Sequence, residues 1–358
     1  IYPFPGDEKQ RVSSSVQARL DHFKYADKYL KDLAPEIDWE WLRPVSDFDY
    51  FGSKGESSYI AIVHTDGNRM GERIKKLAED LPSVSTAERN RQYCNRLRAF
   101  SHSAHAAAKE ALHATILKLN ACTASTSNGK EHYWQRQRGV QLGDQERLPK
   151  VKQRRDKHQR PILPFRPIVF GGDDVTFVCD GRLGLALAHH YLTVYGQKTL
   201  ADNEKAVGRA GVAIVHSHFP FAQGYSLAEE LAKRAKQEGQ GGTVATLDWH
   251  FGVNGIIESL ETMRETAYRV REGDLCARPL RLESSDWRQW QTFTELVKAF
   301  QLDDEWRGRR NKIKALQSAL RGGKAHVKAF LENYSLPQLP ALPEAVQSSD
   351  NEEIQQTG

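Results

Sequence analysis

The segment RPIVFGGDDVTFVCDG, residues 166–181, constrains the fold more than any other part of the chain: two short, β-rich apolar runs meet at Gly171-Gly172-Asp173-Asp174. Glycine tolerates the backbone angles of a tight reversal, so the pattern predicts a β-hairpin with both aspartates at its tip. Upstream, YIAIVHTDGNRMG at 59–71 predicts a buried strand that carries Asp66 to its end, then a turn opening a helix through about Leu81. A Gly-Asp turn alone is ordinary hairpin chemistry, and the bland reading is a surface turn. Three aspartates at adjoining strand tips say more, because clustered carboxylates repel one another unless cations bind.

The remaining signals alternate. An alanine-rich helix is predicted from about Thr86 to Leu119, a helix from about Leu183 to Leu200, a strand in RAGVAIVHS at 209–217, a glycine-stopped helix in SLAEELAKRAKQEG at 226–239, and a strand in TVATLDW. This order predicts an α+β fold, a ferredoxin-like palm in which helices pack on one face of an antiparallel sheet. Residues 1–58 read as a small helical element and 59–250 as the palm. Between about 121 and 164 an inserted, partly mobile loop is expected. It carries KVKQRRDKHQR at 150–160, which reads as a solvated patch or as a contact for RNA or another charged partner. Residues 251–336 read as an α-helical accessory domain with Trp287, Trp290 and Trp306 in its core and Arg307, Arg309 and Arg310 on its faces. The proline-rich, then acidic segment 337–358 has too little apolar surface to order itself and is expected to be disordered.

Composition excludes several classes. With 39% hydrophobic and 27% charged residues in 358, no window approaches the roughly 18 apolar residues of a membrane span, and the start, IYPFPGDEKQ, has no signal-peptide layout. A soluble, cytoplasmic protein without membrane contact is the expectation. Cys94, Cys122, Cys179 and Cys276 form no CxxC pair, so neither a zinc ribbon nor a disulfide framework is indicated. The net charge of +5 suits a phosphate-rich ligand but decides nothing alone. His102, His105 and His113 share a helical stretch without a carboxylate or cysteine to complete a metal site, and read as surface histidines. His216 and His218 follow a strand, where simple alternation explains them.

Nucleotidyl transfer needs two divalent ions about 4 Å apart, one activating the attacking hydroxyl and one stabilising the leaving pyrophosphate. Hard Mg²⁺ or Mn²⁺ ions take oxygen ligands, which Asp66, Asp173 and Asp174 can supply, with the Gly67 carbonyl as a further candidate. Gly171 and Gly172 would let phosphates approach the turn.

Four pieces, IVHTDGNRMG, PIVFGGDDVTFV, RAGVAIVHSHFPF and LAEELAKRAK, occur in that order over roughly residues 59–250. Together they resemble the GGDD palm of the large signalling polymerase subunit of type III CRISPR effector complexes, or a stand-alone minimal CRISPR polymerase, and are distantly similar to GGDEF diguanylate cyclases. The resemblance implies a metal-dependent nucleotidyltransferase that makes a cyclic oligonucleotide, an oligoadenylate, from ATP in antiviral defence. It implies Asp66, Asp173 and Asp174 as ligands of two Mg²⁺ or Mn²⁺ ions and Lys236 as the contact to the triphosphate, with Lys233 a second candidate. The bland reading of both lysines is a solvated position on a helix face, and for Lys233 that reading is preferred. The chain departs from the pattern in several respects. Val175 follows Asp174 where a diguanylate cyclase has Glu-Phe, and the guanine-reading Asn-Asp pair is missing. The His-Asp nuclease signature has only the reversed Asp21-His22, so no nuclease domain is expected. One palm stands where the large subunit has two, which implies a reduced relative or a fragment. A single palm supplies half of a two-nucleotide site, so a homodimer or a palm-like partner would complete it. The rival of another class is a non-catalytic palm scaffold in an RNA-guided complex; a diguanylate cyclase ranks below both.

Overall fold

A hairpin, β1 (Tyr2–Phe4) with β2 (Asp7–Val12), precedes the first helix, α1 (Ser14–Leu33). This corrects the expectation that residues 1–58 are simply helical. DEKQRV is almost wholly polar, so hydrophobic periodicity carries no strand signal there. The computed structural model describes residues 2–4, 7–45, 47–51, 58–79, 81, 85–125, 132–134, 151–152, 154–156, 158–252, 259–283 and 287–340. Ser13 caps α1 by accepting from the Val16 amide at 3.3 Å.

A short β3 (Arg43–Pro44) leads to β4 (Tyr59–Gly67), α2 (Met70–Glu79) and the long α3 (Thr86–Ala121). In the expected insertion, β5 (Thr123–Ser125), β6 (His132–Trp134) and β7 (Val151–Lys152) form a small antiparallel sheet, and β8 (Ile162–Leu163) pairs with β3. This corrects the expectation of a loop throughout 121–164; residues 126–131, 135–150, 153 and 157 of that stretch, which include part of the basic run, lie outside the described residues. The hairpin follows as β9 (Phe165–Gly171) and β10 (Asp174–Asp180), then α4 (Gly184–Gly196), β11 (Gly208–His216), α5 (Phe221–Glu238) and β12 (Thr246–Gly252).

Strands β11, β4, β10 and β9 lie side by side and antiparallel, the arrangement of a ferredoxin-like palm. The sheet then goes beyond the expectation, since β12 joins β11 in parallel and α5 is the crossover between them. Alternation sorts the two faces. Ala61, Val63, Val175, Phe177, Ala210 and Val212 point toward α3 and α4, whereas Ile60, Ile62, Val178, Ala213 and Val215 point toward Leu227, Ala228 and Leu231 of α5. Helices therefore cover both faces, not one. Gly211 makes this possible, because a Cβ there would stand 2.0 Å from the Ala228 carbonyl oxygen and 2.4 Å from the Ala232 amide nitrogen.

Beyond β12 the expected all-helical segment is mixed. After α6 (Leu260–Tyr268) come a hairpin, β13 (Arg269–Val270) with β14 (Gly273–Asp274), and β15 (Leu280–Arg281), which joins the main sheet beside β12. Two-residue strands are too short to leave a periodic signal. In α7 (Trp290–Leu302), Trp290 stacks on His189 of α4 at 4.3 Å and Phe293 lies against Trp249. Trp287 and Trp290 are half-buried, not core. Trp306 is buried, near the small core that α8 (Arg310–Arg321) and α9 (Lys324–Asn333) build from Leu316, Ala319 and Val327. The start of the expected disordered tail is ordered: the Trp306 indole donates to the Gln338 carbonyl at 3.2 Å, and Leu339 packs on the same core. Residues 341–358 lie outside the described residues. Among the described residues no helix is long and apolar enough to cross a membrane.

Candidate active site

Register brings the aspartates together. β10 pairs with β4 through Val175 opposite Thr65, so one step further Asp174 faces Asp66. On the other side of β4, Arg209 of β11 is the register partner of Asp66. His64, Asp66, Asp174 and Arg209 all belong to the α5 face by alternation. Gly172, at φ +67° in the hairpin turn, takes a backbone conformation that side chains resist, and both Gly171 and Gly172 border open space.

Asp173 folds back against the end of β4. A Cβ on Gly67 would stand 2.6 Å from Asp173 Oδ2 and 2.4 Å from the Met70 terminal methyl, so the close approach depends on glycine at 67. Burial pushes the Asp173 carboxyl above its ordinary value, and the neighbouring Asp66 pushes it further. Burial raises Asp174 too; Asp173 and Glu229 add to the rise, and His64 opposes it. One oxygen of Asp174, Oδ1, is buried without a hydrogen-bond partner, although His64 Nδ1 lies 3.5 Å away. His64 is in turn held by the Thr176 hydroxyl at 3.1 Å and by an edge contact with Tyr225 of α5.

Arg209 was not singled out from the sequence, and it is central. Its Nη2 ion-pairs with Asp66, while its Nη1 donates to the Gly67 carbonyl at 3.1 Å and to Asn68 Oδ1 at 2.8 Å. The signal that could have found it is its position, the first side chain of a strand antiparallel to the one ending in Asp66. His64 was likewise missed; as the alternate residue to Asp66 it shares the aspartate's face. Arg73 of α2 anchors the helix that follows the DGN turn, through Asp202 at 2.6 and 2.5 Å and the carbonyls of Glu204 and Lys205, with Phe100 beneath its guanidinium.

Lys236 is exposed in the last turn of α5 and faces Glu72 of α2, whose carboxyl is held below its ordinary value by hydrogen-bonded Arg69 and, more weakly, by Lys236 and Lys75. Lys233 is exposed. His102 and His105 are exposed; His113 meets a carboxylate the sequence did not place there, Glu36, at 3.1 Å. His216 stacks on Tyr59, and His218 is exposed. The four cysteines are free.

Hard carboxylate oxygens, one of them buried and orphaned, suit Mg²⁺ or Mn²⁺ by donor chemistry. As they stand, however, no three His, Cys, Asp or Glu side chains among the described residues form a metal-holding group. The Asp66 carboxylate and the Gly67 carbonyl both engage the Arg209 guanidinium instead.

Comparison with solved structures finds Csm1–Csm4 assemblies. The Csm1–Csm4 cassette in complex with pppApApA is 16% identical with a TM-score of 0.42, and the match covers 84% of this chain and 35% of that one. The cassette in complex with cA4 is 15% identical with a TM-score of 0.32, covering 80% and 35%. The Csm1–Csm4 subcomplex of a type III-A CRISPR-Csm interference complex is 16% identical with a TM-score of 0.30, covering 79% and 34%. The chain thus spans about a third of the solved chains it matches. No curated protein is a significant match. The family description "Cas10/Cmr2, second palm domain" matches residues 59–245, more than half of the chain and the whole span from the start of β4 to the edge of β12. The chain therefore belongs to the family of the second palm domain of Cas10/Cmr2.

Proposed function

We propose that the chain is a metal-dependent nucleotidyltransferase that condenses ATP into a cyclic oligoadenylate messenger of a type III CRISPR defence. The observation that carries this reading is the convergence of Asp66, Asp173 and Asp174 at adjoining strand tips, two of them raised in pKa and one with an orphaned oxygen. Such crowding is unfavourable for structure alone and suits a site built to receive cations. Asp173 and Asp174 would hold two divalent ions, with Asp66 joining them on exchanging Arg209. Bound there, the ions would lower the pKa of an attacking ribose hydroxyl and neutralise the departing pyrophosphate.

The chain's own residues do the rest. Gly171 and Gly172 leave room beside the hairpin tip for a phosphate. Arg209, once released from Asp66, keeps its guanidinium at the strand ends, where it can meet phosphate oxygens. Lys236 supplies positive charge from α5 toward the triphosphate. His64, fixed by Thr176, sets the orientation of Asp174. A second nucleotide with the attacking hydroxyl needs a facing surface, which a second copy or a palm-like partner would provide; the basic stretch 150–160 offers an RNA contact.

One observation favours a second reading. Arg209 already supplies a cation to Asp66 and Gly67, as a palm kept purely as a scaffold would require. The deciding experiment incubates the chain with ATP, GTP or both and Mg²⁺ or Mn²⁺, beside an Asp173→Ala/Asp174→Ala variant, with products read by mass spectrometry. A cyclic product lost in the variant supports the cyclase and names its base. No product, together with no metal-dependent ATP binding by calorimetry, supports the scaffold.

A further inference from the structure

A second concentration of charge lies across α5 from the aspartates. Along one row of the sheet, Gly211 of β11 pairs with His64 on one side and with Asp248 of β12 on the other, and α5 crosses over Gly211. On the Asp248 side, α5, α6 and the segment from β13 to β15 bound a cleft of about 240 Å³, far more than the ~30 Å³ share of one water. Arg234, Arg264, Arg269, Arg278 and Arg288 line it.

The arginines at its base are held in place and incompletely satisfied. Arg264 is buried and grips the fully buried Asp248 through both oxygens, at 2.9 and 2.6 Å, which fixes its guanidinium and neutralises Asp248. Arg278 lies between the rings of Trp249 and Tyr268, with its guanidinium carbon 5.3 and 4.9 Å from their centroids. Nη2 of Arg278 and Nε of both Arg234 and Arg264 are buried and have no hydrogen-bond partner. Among the described residues no carboxylate is within ion-pair distance of Arg234 or Arg278. The carboxylates of the cleft, Glu238, Glu261, Glu265 and Asp274, are exposed at its rim, where water screens them. Buried cationic N–H groups are costly to leave unpaired, and planar guanidiniums immobilised by aromatic rings match the oxygens of a phosphate.

We propose that this cleft is an oxyanion site, separate from the aspartate cluster, that binds a phosphate group through Arg234, Arg264 and Arg278. The phosphate belongs to a free nucleotide or to an RNA backbone; the chemistry of recognition is the same. The site does not depend on the chain being a cyclase.

The test titrates the full chain, in EDTA and without divalent ions, with inorganic phosphate, AMP and a short oligoribonucleotide in a calorimeter. Saturable binding is expected, weakened at least tenfold by Arg234→Gln and by Arg278→Met. AMP binding without oligoribonucleotide binding identifies a free nucleotide as the source. Tighter, salt-sensitive binding of the oligomer, lost in the same variants, identifies RNA. No saturable binding of any of the three overturns the proposal. So does binding that Arg234→Gln leaves unchanged, whether or not Arg278→Met folds.

Discussion

Arg209 and Asp66 are joined across adjacent antiparallel strands, and the same guanidinium also binds the carbonyl of Gly67. The chain thereby places its own cation on two of the oxygens that the sequence nominates as metal ligands. Removing the guanidinium in Arg209→Met leaves a half-buried carboxylate unpaired. In EDTA the loss of stability should be about 1–3 kcal/mol, read from urea midpoints. In millimolar Mn²⁺ the loss should shrink, because an ion replaces the guanidinium. Equal losses in both buffers would refute this exchange.

Asp173 and Asp174 should separate function from stability. Their carboxyls are raised in the folded state, so they favour folding only at low pH and oppose it once ionised near neutrality. Asp173→Asn/Asp174→Asn in EDTA should therefore melt no lower than the parent chain, and higher at pH 7. Product formation should fall by at least on the order of 10³-fold. A marked drop in melting temperature without metal would show that the carboxylates serve structure.

Gly67→Ala is a steric test of the same corner. The new methyl group meets Asp173 Oδ2 and the end of the Met70 side chain. Met70 can yield, whereas the Asp173 carboxylate must move. Metal-dependent ATP binding is expected to weaken about tenfold or more, with at most about 1–3 kcal/mol lost in stability. Unchanged binding would mean that the position of Asp173 is unimportant.

Arg73→Ala should act on the fold instead. The guanidinium is buried and paired with Asp202, so its removal strands a carboxylate and two carbonyls, at a cost of about 3–5 kcal/mol by denaturant titration. An additional Asp202→Asn change should recover part of the loss.

Two histidines predict acid sensitivity. Burial lowers His189 and His250 from 6.5 to about 4, with His190 adding to the first and Arg278 and Arg264 to the second. Both are neutral when folded and protonate near 6.5 when unfolded. Their neutral state therefore favours folding fully above pH 6.5, and that advantage declines as pH falls from 6.5 toward 4. Denaturant midpoints should drop across this window, and less steeply in His189→Phe. An identical pH profile in the variant would exclude His189 as a cause.

Elements dictated by local chemistry were legible in the sequence. Apolar alternation on both sides of Gly171-Gly172 specified the hairpin, the run ending at Asp66 specified the central strand, and a left-handed residue at 172 required glycine. Those constraints act within a few residues, so they can be read from one segment at a time. Other features required contacts between distant segments. The Arg209–Asp66 pair, the face that His64 shares with Asp174, and the arginine cleft beside α5 all depend on register between strands far apart in the chain. The covering of the second sheet face by α5 rests on one glycine whose value appears only when a helix crosses it. Two- and three-residue strands were too short, and β2 too polar, to leave a periodic trace, and the backbone hydrogen bonds that pair them are available to nearly every residue alike.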